Sequence, residues 1–235
     1  MIQWEDAELE EFSLKEGDIA VPMDIYLPCG SAIPEITAYR AFSETAQEFL
    51  RLYGDASLSD AAAEFLHAHL SQGMARFGFT PARDALTEIR EYKMERAAQC
   101  RTAWILPETV LVRRAQDLAG LENRTTHRLF DGDDAESLCA VHVIDGKITA
   151  YAALNDTYFE DGAAEISVEC APEFRCRGYA ASCAARLAAE LLAEDTPVRY
   201  HCRTGNAASR RVAEKIGFTL LGVRRSYVCY RGAIC

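Results

Sequence analysis

The C-terminal part of the chain alternates between strand-like and helix-like patterns, and this alternation restricts the fold more than any other feature. Three strand patterns come first, separated by turn-forming Asp-Gly pairs, which favours an antiparallel meander. Helices and strands then alternate, which favours a mixed α/β sheet. The predicted elements are strands at 137–144, 147–154 and 164–170, a helix at 178–193, a strand at 198–202, a helix at 206–216 and a β-rich segment at 218–230.

The preceding part of the chain has a different pattern. Apolar residues recur at helical spacing between proline or serine starts and glycine stops, which predicts helices at 34–54, 59–78 and 80–100. At Trp104 the pattern becomes extended. We therefore predict two parts: a mainly helical, acidic N-terminal region at 1–103 and an α/β domain at 104–235.

Composition excludes several classes of protein. The 235 residues are 49% hydrophobic and 26% charged, which is typical of a globular protein and excludes a disordered one. The most apolar stretch, at 180–193, contains Arg186 and Glu190 and is too short to cross a bilayer. The N-terminus lacks the basic start and apolar run of a signal peptide. We expect a cytoplasmic protein.

The nine cysteines form no Cys-x-x-Cys pair and no spacing typical of a zinc site. Small, buried thiols in a reducing compartment are the simplest interpretation. We expect no bound metal.

Charge is unevenly distributed along the chain. The formal net charge of −11 disfavours nucleic acid and anionic membranes as partners. Residues 1–103 hold 9 basic and 18 acidic residues, whereas residues 173–235 hold 11 basic and 5 acidic ones. The sequence therefore predicts that the C-terminal segment binds an anion.

The segment from Cys170 to Ala180 connects a predicted strand to a predicted helix. Such a loop exposes unpaired backbone N–H groups beside the positive end of the helix dipole, which suits a phosphate group. Gly178 permits close approach of the backbone, and Arg175 and Arg177 add positive charge. An ordinary loop with two solvated arginines is the alternative interpretation.

Two motifs resemble the GNAT superfamily of N-acetyltransferases. The segment Cys170 to Ala180 is similar to its pyrophosphate loop, Val-x-Pro-x-x-Arg-x-x-Gly-x-Gly/Ala, with Cys170 in the valine position. The segment Asn206 to Phe218 is similar to its Asn-x-x-Ser/Ala…Glu-Lys-x-Gly-Phe helix. The resemblance covers residues 104–235. It implies a mixed, splayed β-sheet flanked by helices, with acetyl-CoA as co-substrate.

The resemblance also implies which residues bind the coenzyme. Main-chain groups at the end of the strand 164–170 would pair with the pantetheine arm, backbone amides of the loop would surround the pyrophosphate, and Asn206 would contact the arm near the thioester. The residues implied are Val168, Glu169, Cys170, Arg175, Cys176, Arg177, Gly178, Tyr179, Ala180, Ala181, Asn206, Ser209 and Arg211.

Ordinary structural roles compete with some of these assignments. Asn206 is also a good helix N-cap, and the two roles are compatible. Arg210, Arg211 and Lys215 either face the phosphates of the nucleotide or form a solvated helix face.

Acyl transfer to an amine needs a base for the amine and stabilisation of the departing thiolate. Many members of the family supply the acid from a tyrosine seven residues after the asparagine, and that position is Ala213 here. Tyr227 or Tyr230, in the predicted C-terminal hairpin, is the candidate replacement, and a half-buried strand residue is the alternative role of each. For the base we rank His201 first, Glu165 second and Glu169 third, and each has a purely structural alternative.

The sequence therefore predicts an N-acetyltransferase that moves the acetyl group of acetyl-CoA directly to a primary amine. The acidity of residues 1–103 suits a cationic amine, or serves solubility alone. A non-catalytic acyl-CoA sensor and a transferase with another acyl donor are the alternatives. Edge strands at the C-terminus leave two arrangements open: a homodimer, or cover by the N-terminal helices.

Overall fold

The computed structural model describes residues 1–5, 19–54, 58–125, 136–155 and 159–231. Among these residues the helices are α1 (Ser43–Tyr53), α2 (Asp60–Ala75), α3 (Tyr179–Ala193) and α4 (Ala207–Ile216). The strands are β1 (Ile2–Glu5), β2 (Ile19–Pro28), β3 (Glu35–Tyr39), β4 (Phe79–Met94), β5 (Thr109–Arg114), β6 (Glu122–Asn123), β7 (Glu136–Ile144), β8 (Lys147–Leu154), β9 (Ala164–Cys170), β10 (Val198–Arg203) and β11 (Thr219–Arg231).

The chain divides into two compact units. One unit contains residues 1–90 and 221–235, and the other contains residues 91–220. The C-terminal strand β11 thus ends in the same unit as the N-terminus. The sequence predicts a boundary after residue 103. That boundary stays a prediction about where the coenzyme-binding part begins.

In the first unit the strands follow the order β1-β3-β2-β11-β4. Helix α2 begins as predicted, since Ser59 is its N-cap and the Ser59 hydroxyl accepts a hydrogen bond from the backbone N–H of Ala62. Leu66, Leu70 and Met74 follow at helical spacing and are fully or almost fully buried. One stripe of α2 therefore supplies much of this unit's core.

The predicted third helix is wrong, because residues 79–94 form strand β4. Phe79 is buried at its start, and Tyr92 and Met94 are buried two residues apart near its end, which is the spacing of a strand face. The spacing of Leu86, Ile89 and Tyr92 also fits a helix, so the local pattern is ambiguous. Pairing with β11 in this unit decides the outcome, as sheet contacts commonly override local propensity.

The predicted first helix begins later than expected. Residues 35–39 form β3, in which Ile36 and Ala38 are buried at two-residue spacing. This strand pairs in parallel with β1 and antiparallel with β2. Helix α1 begins only at Ser43 and ends at Tyr53, just before the predicted stop at Gly54. The mainly helical character expected for the N-terminal region is accordingly wrong, and this unit is a mixed one.

The second unit contains residues 91–94 of β4, and its strands follow the order β4-β10-β9-β8-β7-β5, with β6 beside β8. The predicted meander is confirmed, because β7, β8 and β9 pair antiparallel in sequence order. Helix α3 packs on this sheet, and Cys183, Ala184 and Leu187 on it are fully buried. The mixed α/β sheet flanked by helices that the sequence predicts is confirmed.

Most cysteines of the described residues serve as apolar filler, as predicted. Cys100, Cys139, Cys183, Cys202 and Cys229 are buried, and burial raises the pKa of Cys139 to about 12. The exceptions among the described cysteines are the exposed Cys29 and Cys176 and the half-buried Cys170.

Candidate functional site

A cavity of about 590 Å³ lies in the second unit, where β9 ends and where α3 and α4 begin. Its walls contain every predicted coenzyme-binding residue except Arg177. Ala208, Val212 and Lys215 also contribute, following the helical spacing of Ser209 and Arg211 on α4. The lining residues are Val168, Glu169, Cys170, Arg175, Cys176, Gly178, Tyr179, Ala180, Ala181, Asn206, Ala208, Ser209, Arg211, Val212 and Lys215.

The loop between β9 and α3 presents its backbone to this cavity. Gly178 adopts a left-handed conformation with φ of +88° and is the N-cap of α3. Glycine has no side chain with which to cap the helix, so the first N–H groups of α3 donate no hydrogen bond to an N-cap side chain. Tyr179, Ala180 and Ala181, the first residues of the helix, line the cavity. This is the arrangement in which a helix N-terminus binds an anion.

The two arginines of the loop have different positions. Arg175 lines the cavity, and its Nε donates a hydrogen bond to the carbonyl oxygen of Cys170 at 3.2 Å. Arg177 donates to the carbonyl oxygen of Glu173 at 3.5 Å, and its guanidinium lies 5.7 Å from the ring centroid of Phe174. Arg177 therefore stabilises the loop and does not line the cavity.

The N-terminus of α4 forms the opposite wall. Asn206 is the N-cap, and its Oδ1 accepts a hydrogen bond from the backbone N–H of Ser209 at 3.0 Å. The structural role predicted for Asn206 is confirmed, and the residue lines the cavity as well. Arg211 and Lys215 add positive charge to this wall, whereas Arg210 lies 3.7 Å from Glu214 in an ion pair along the helix.

The strands beside the cavity separate from each other. The parallel pair of β9 and β10 has registered partners only at Val198 with Ala164 and at Arg199 with Glu165, both near the starts of the strands. The later residues of β9, including Val168 and Cys170, instead line the cavity. The end of β9 thus lies beside the cavity and beyond the registered pairs with β10, in agreement with the predicted splay.

His201 and Glu165 project from these two strands towards each other. Nδ1 of His201 lies 3.0 Å from Oε1 of Glu165. Both side chains are mostly buried, with 23% of His201 and 11% of Glu165 exposed. The Nε2 atom of His201 is buried and has no hydrogen-bond partner in the part of the chain that the structure describes. The structure therefore brings together the first and second candidates for the base.

The Phe159 ring contacts both the histidine and Arg199, which belongs to an ion cluster. The Phe159 ring meets His201 edge-on, with 5.9 Å between ring centroids. Asp161 accepts hydrogen bonds from Arg199 and pairs with Lys93, each at 2.9 Å, and these partners hold the pKa of Asp161 well below its usual range. The positive charges of Arg199 and Lys93 are thus compensated locally.

Two further catalytic candidates, Glu169 and Tyr227, are not part of the contact between His201 and Glu165. Glu169, the third candidate for the base, lines the cavity and is the cross-strand partner of Tyr151. Tyr227 belongs to the first unit, is 1% exposed, and has its hydroxyl 3.1 Å from Nδ1 of His67. Burial raises the pKa of Tyr227 to about 12. Its role as an acid stays a prediction.

One feature of the cavity wall carries no clear sequence signal. The hydroxyl of Tyr200 lies 2.7 Å from the Oγ atom of Ser209. Tyr200 is buried on β10, and its partner lies on the next helix. Ala213, one turn after Ser209, is fully buried.

Two kinds of feature are absent from the described ranges. No helix there is both long and apolar enough to cross a membrane. No group of three or more histidine, cysteine, aspartate or glutamate residues there is arranged to hold a metal ion.

Part of the sequence and the fold are similar to those of known proteins. Residues 103–218 match the acetyltransferase (GNAT) family. The comparison with curated proteins gives no match. Among solved structures, a GCN5-related N-acetyltransferase-like protein from Streptococcus suis is 14% identical, with a TM-score of 0.50, over 95% of this chain and 94% of that one. A GCN5-related N-acetyltransferase from Kribbella flavida is 13% identical, with a TM-score of 0.47, over 93% and 91%. The first of these likenesses supports the fold alone.

Proposed function

We propose that the protein, whose residues 103–218 match the GNAT acetyltransferase family, is an N-acetyltransferase that uses acetyl-CoA and acetylates a primary amine directly. One observation carries the proposal: the predicted pyrophosphate loop and the predicted asparagine helix line one cavity at the splay between β9 and β10. Two motifs that are far apart in sequence thus meet at one site.

The residues of the cavity fit the coenzyme. The uncapped N-terminus of α3 and the left-handed Gly178 suit a pyrophosphate. The charged residues that line the cavity are three basic ones, Arg175, Arg211 and Lys215, and one acidic one, Glu169, so the net charge of the lining is positive. Main-chain groups of Val168 to Cys170 are the ones that would pair with the pantetheine arm. The coenzyme would supply an activated acyl group as a thioester.

The pair of His201 and Glu165 suits the acceptor. With its Nδ1 directed at the carboxylate of Glu165, His201 can accept a proton on Nε2, which has no partner among the described residues. Glu165 would hold the ring and stabilise the positive charge that the ring acquires. His201 would take the proton that the neutral amine loses as its nitrogen attacks the acyl carbon.

The thiols of Cys170 and Cys202 are poor candidates for acyl carriers. Burial raises the pKa of Cys170 to about 11, so its thiol is protonated at neutral pH. Cys202 is 7% exposed and packs in the core, on the opposite face of β10 from His201. Direct transfer from the thioester to the amine is therefore favoured.

The acceptor is proposed to be a cationic amine. Glu165 and Glu169 lie on one face of β9, and the nearby cations Lys93 and Arg199 are compensated by Asp161. The 18 acidic residues at 1–103 would add to the attraction. Their acidity has an alternative explanation in solubility, which a panel of neutral and cationic amines would distinguish.

The alternative function is a non-catalytic acyl-CoA sensor. Ala213 favours the sensor, because this fully buried alanine occupies the position at which many members of the family have the tyrosine that acts as general acid. A transferase with another acyl donor is the second alternative. Cytoplasmic location and a homodimer also stay proposals, and size-exclusion chromatography with light scattering would test the latter.

The test is thiol release from acetyl-CoA with a panel of amines, together with calorimetric measurement of CoA affinity. Release that depends on one class of amine supports the transferase and identifies its acceptor. Tight binding without release favours the sensor, or another donor if longer acyl-CoA esters are turned over. Absence of CoA binding contradicts the proposal.

A further inference from the structure

Two hydroxyl groups meet at the wall of the cavity. Ser209 is the third residue of α4 and lines the cavity, and its Oγ lies 2.7 Å from the hydroxyl of Tyr200 on β10. The Tyr200 ring is 1% exposed and packs against Phe218, with 5.6 Å between ring centroids. A buried tyrosine thus supports a serine that faces the proposed coenzyme.

The direction of this hydrogen bond follows from the partners. In the described parts of the chain, Oγ of Ser209 is the partner of the Tyr200 hydroxyl. Burial raises the pKa of Tyr200 to about 12, so the phenol keeps its proton. A phenol is a better donor than an aliphatic alcohol. Tyr200 therefore donates to Ser209, and the proton of Ser209 is left for a group in the cavity.

The position of Ser209 is fixed and electrostatically favourable for an anion. Its backbone N–H is held by Oδ1 of Asn206 at 3.0 Å. It lies in the first turn of α4, where the helix dipole favours negative charge. It also precedes Ala213 by four residues and thus lies on the same face of the helix, one turn nearer the N-terminus.

We propose that Ser209 donates a hydrogen bond to the sulfur of the departing coenzyme thiolate, with Tyr200 as the positioning residue that orients and polarises it. This inference rests on the proposed function. In the step, a bond forms between the amine nitrogen and the acyl carbon, the bond between carbon and sulfur breaks, and its electron pair goes to sulfur. The proton of the amine goes to Nε2 of His201, and Ser209 keeps its own proton.

This assignment explains how the reaction proceeds with an alanine at position 213. A thiolate is a far better leaving group than an amine anion, so it needs stabilisation more than immediate protonation. A hydrogen bond to an ionised group is stronger than one between neutral groups, and it acts together with the helix dipole. The pair of Ser209 and Tyr200 supplies this hydrogen bond at the N-terminus of α4, and no buried tyrosinate is formed.

The test is the pKa of the CoA thiol while it is bound, read from the ultraviolet absorbance of the thiolate. We expect this pKa to lie below that of free CoA in the wild type and to rise by about one unit, a tenfold change in the equilibrium, in Ser209→Ala. Tyr200→Phe should raise it less, and Ser209→Thr, which keeps a hydroxyl, should leave it close to the wild type. In turnover, Ser209→Ala should lower kcat about tenfold and leave KM for acetyl-CoA unchanged.

Calorimetry provides a second reading that needs no catalysis. If the bound thiolate is stabilised, CoA affinity rises with pH through the titration of the free thiol, and this rise should shrink in Ser209→Ala. Equal thiol pKa values in the wild type and Ser209→Ala, with CoA bound to both, overturn the inference and leave the proposed function intact. Failure of the wild type to bind CoA overturns both.

Discussion

The imidazole of His201 and the carboxylate of Glu165 face each other from neighbouring parallel strands, with Nδ1 of the histidine 3.0 Å from Oε1 of the glutamate. The register pairs Arg199 with Glu165, so His201 lies two residues further along β10 on the same face. This geometry directs Nδ1 to the carboxylate of Glu165, while the buried Nε2 has no hydrogen-bond partner among the described residues. It gives the proposed base a fixed orientation.

Replacement of His201 by alanine should separate catalysis from binding. We expect His201→Ala to lower turnover about 100-fold or more, since general base catalysis contributes that much, while CoA affinity is unchanged. Added imidazole should restore part of the turnover in the variant and none in the wild type. Thiol release and calorimetry measure the two effects.

The matched variant for this prediction is Glu165→Gln. It keeps the size of the side chain and an oxygen acceptor, so it should lose less turnover than His201→Ala. A larger loss in Glu165→Gln than in His201→Ala would make Glu165 the base and contradict the ranking of the two residues.

Gly178 provides the sharpest test of coenzyme binding. A glutamate side chain at this position would place bulk and negative charge beside the proposed pyrophosphate, so we expect Gly178→Glu to abolish measurable CoA affinity. The control is Gly146→Glu, because Gly146 has a similar φ of +74° and an added Cβ meets nothing within 4 Å at either glycine. If both variants bind CoA as the wild type does, the site assignment is wrong.

The coenzyme-binding part of the fold was predictable because its signals are local. Helix α3 follows a glycine, helix α4 begins with a capping asparagine, and the turn before β8 contains Asp145 and Gly146. Each of these residues determines its own backbone or that of its immediate neighbours. The order and spacing of these residues were therefore enough to predict the helices and the turn.

The N-terminal unit was not predictable in the same way. The strand at 79–94 owes its conformation to pairing with β11, which lies more than a hundred residues away in sequence. Its apolar residues fit a helix about as well as a strand. The contact between Tyr200 and Ser209 is likewise tertiary, since it joins β10 to the next helix and no local pattern specifies it.

The role of Tyr227 can be tested against a variant that breaks the same hydrogen bond. If Tyr227 is the acid that the sequence predicts, Tyr227→Phe slows transfer more than it weakens CoA binding. His67→Gln alters the same hydrogen bond and keeps the phenol, so it should leave turnover unchanged. Either variant should lower the free energy of unfolding by about 1 kcal/mol. Equal turnover of Tyr227→Phe and the wild type would refute the acid role.

The buried His142 should make the stability of the protein sensitive to acid. His142 is 1% exposed, and its Nδ1 is hydrogen-bonded to Oγ1 of Thr109 at 2.8 Å. Its ring stacks on Tyr179, with 4.0 Å between ring centroids. Burial lowers its pKa below the usual 6.5, and the charge of Glu108 opposes this shift only in part. The folded protein therefore resists protonation of this ring.

The sign of the effect follows from linkage. Above about pH 6.5 the ring is neutral in both states and adds no pH dependence, whereas below it the unfolded chain binds the proton first. We expect the denaturant midpoint to fall as the pH drops from 6.5 towards the folded-state pKa of His142. The variant His142→Gln should be less stable at neutral pH, because it loses the stack on Tyr179, and should show a shallower fall on acidification. An equally steep fall in His142→Gln would assign the acid sensitivity to other groups.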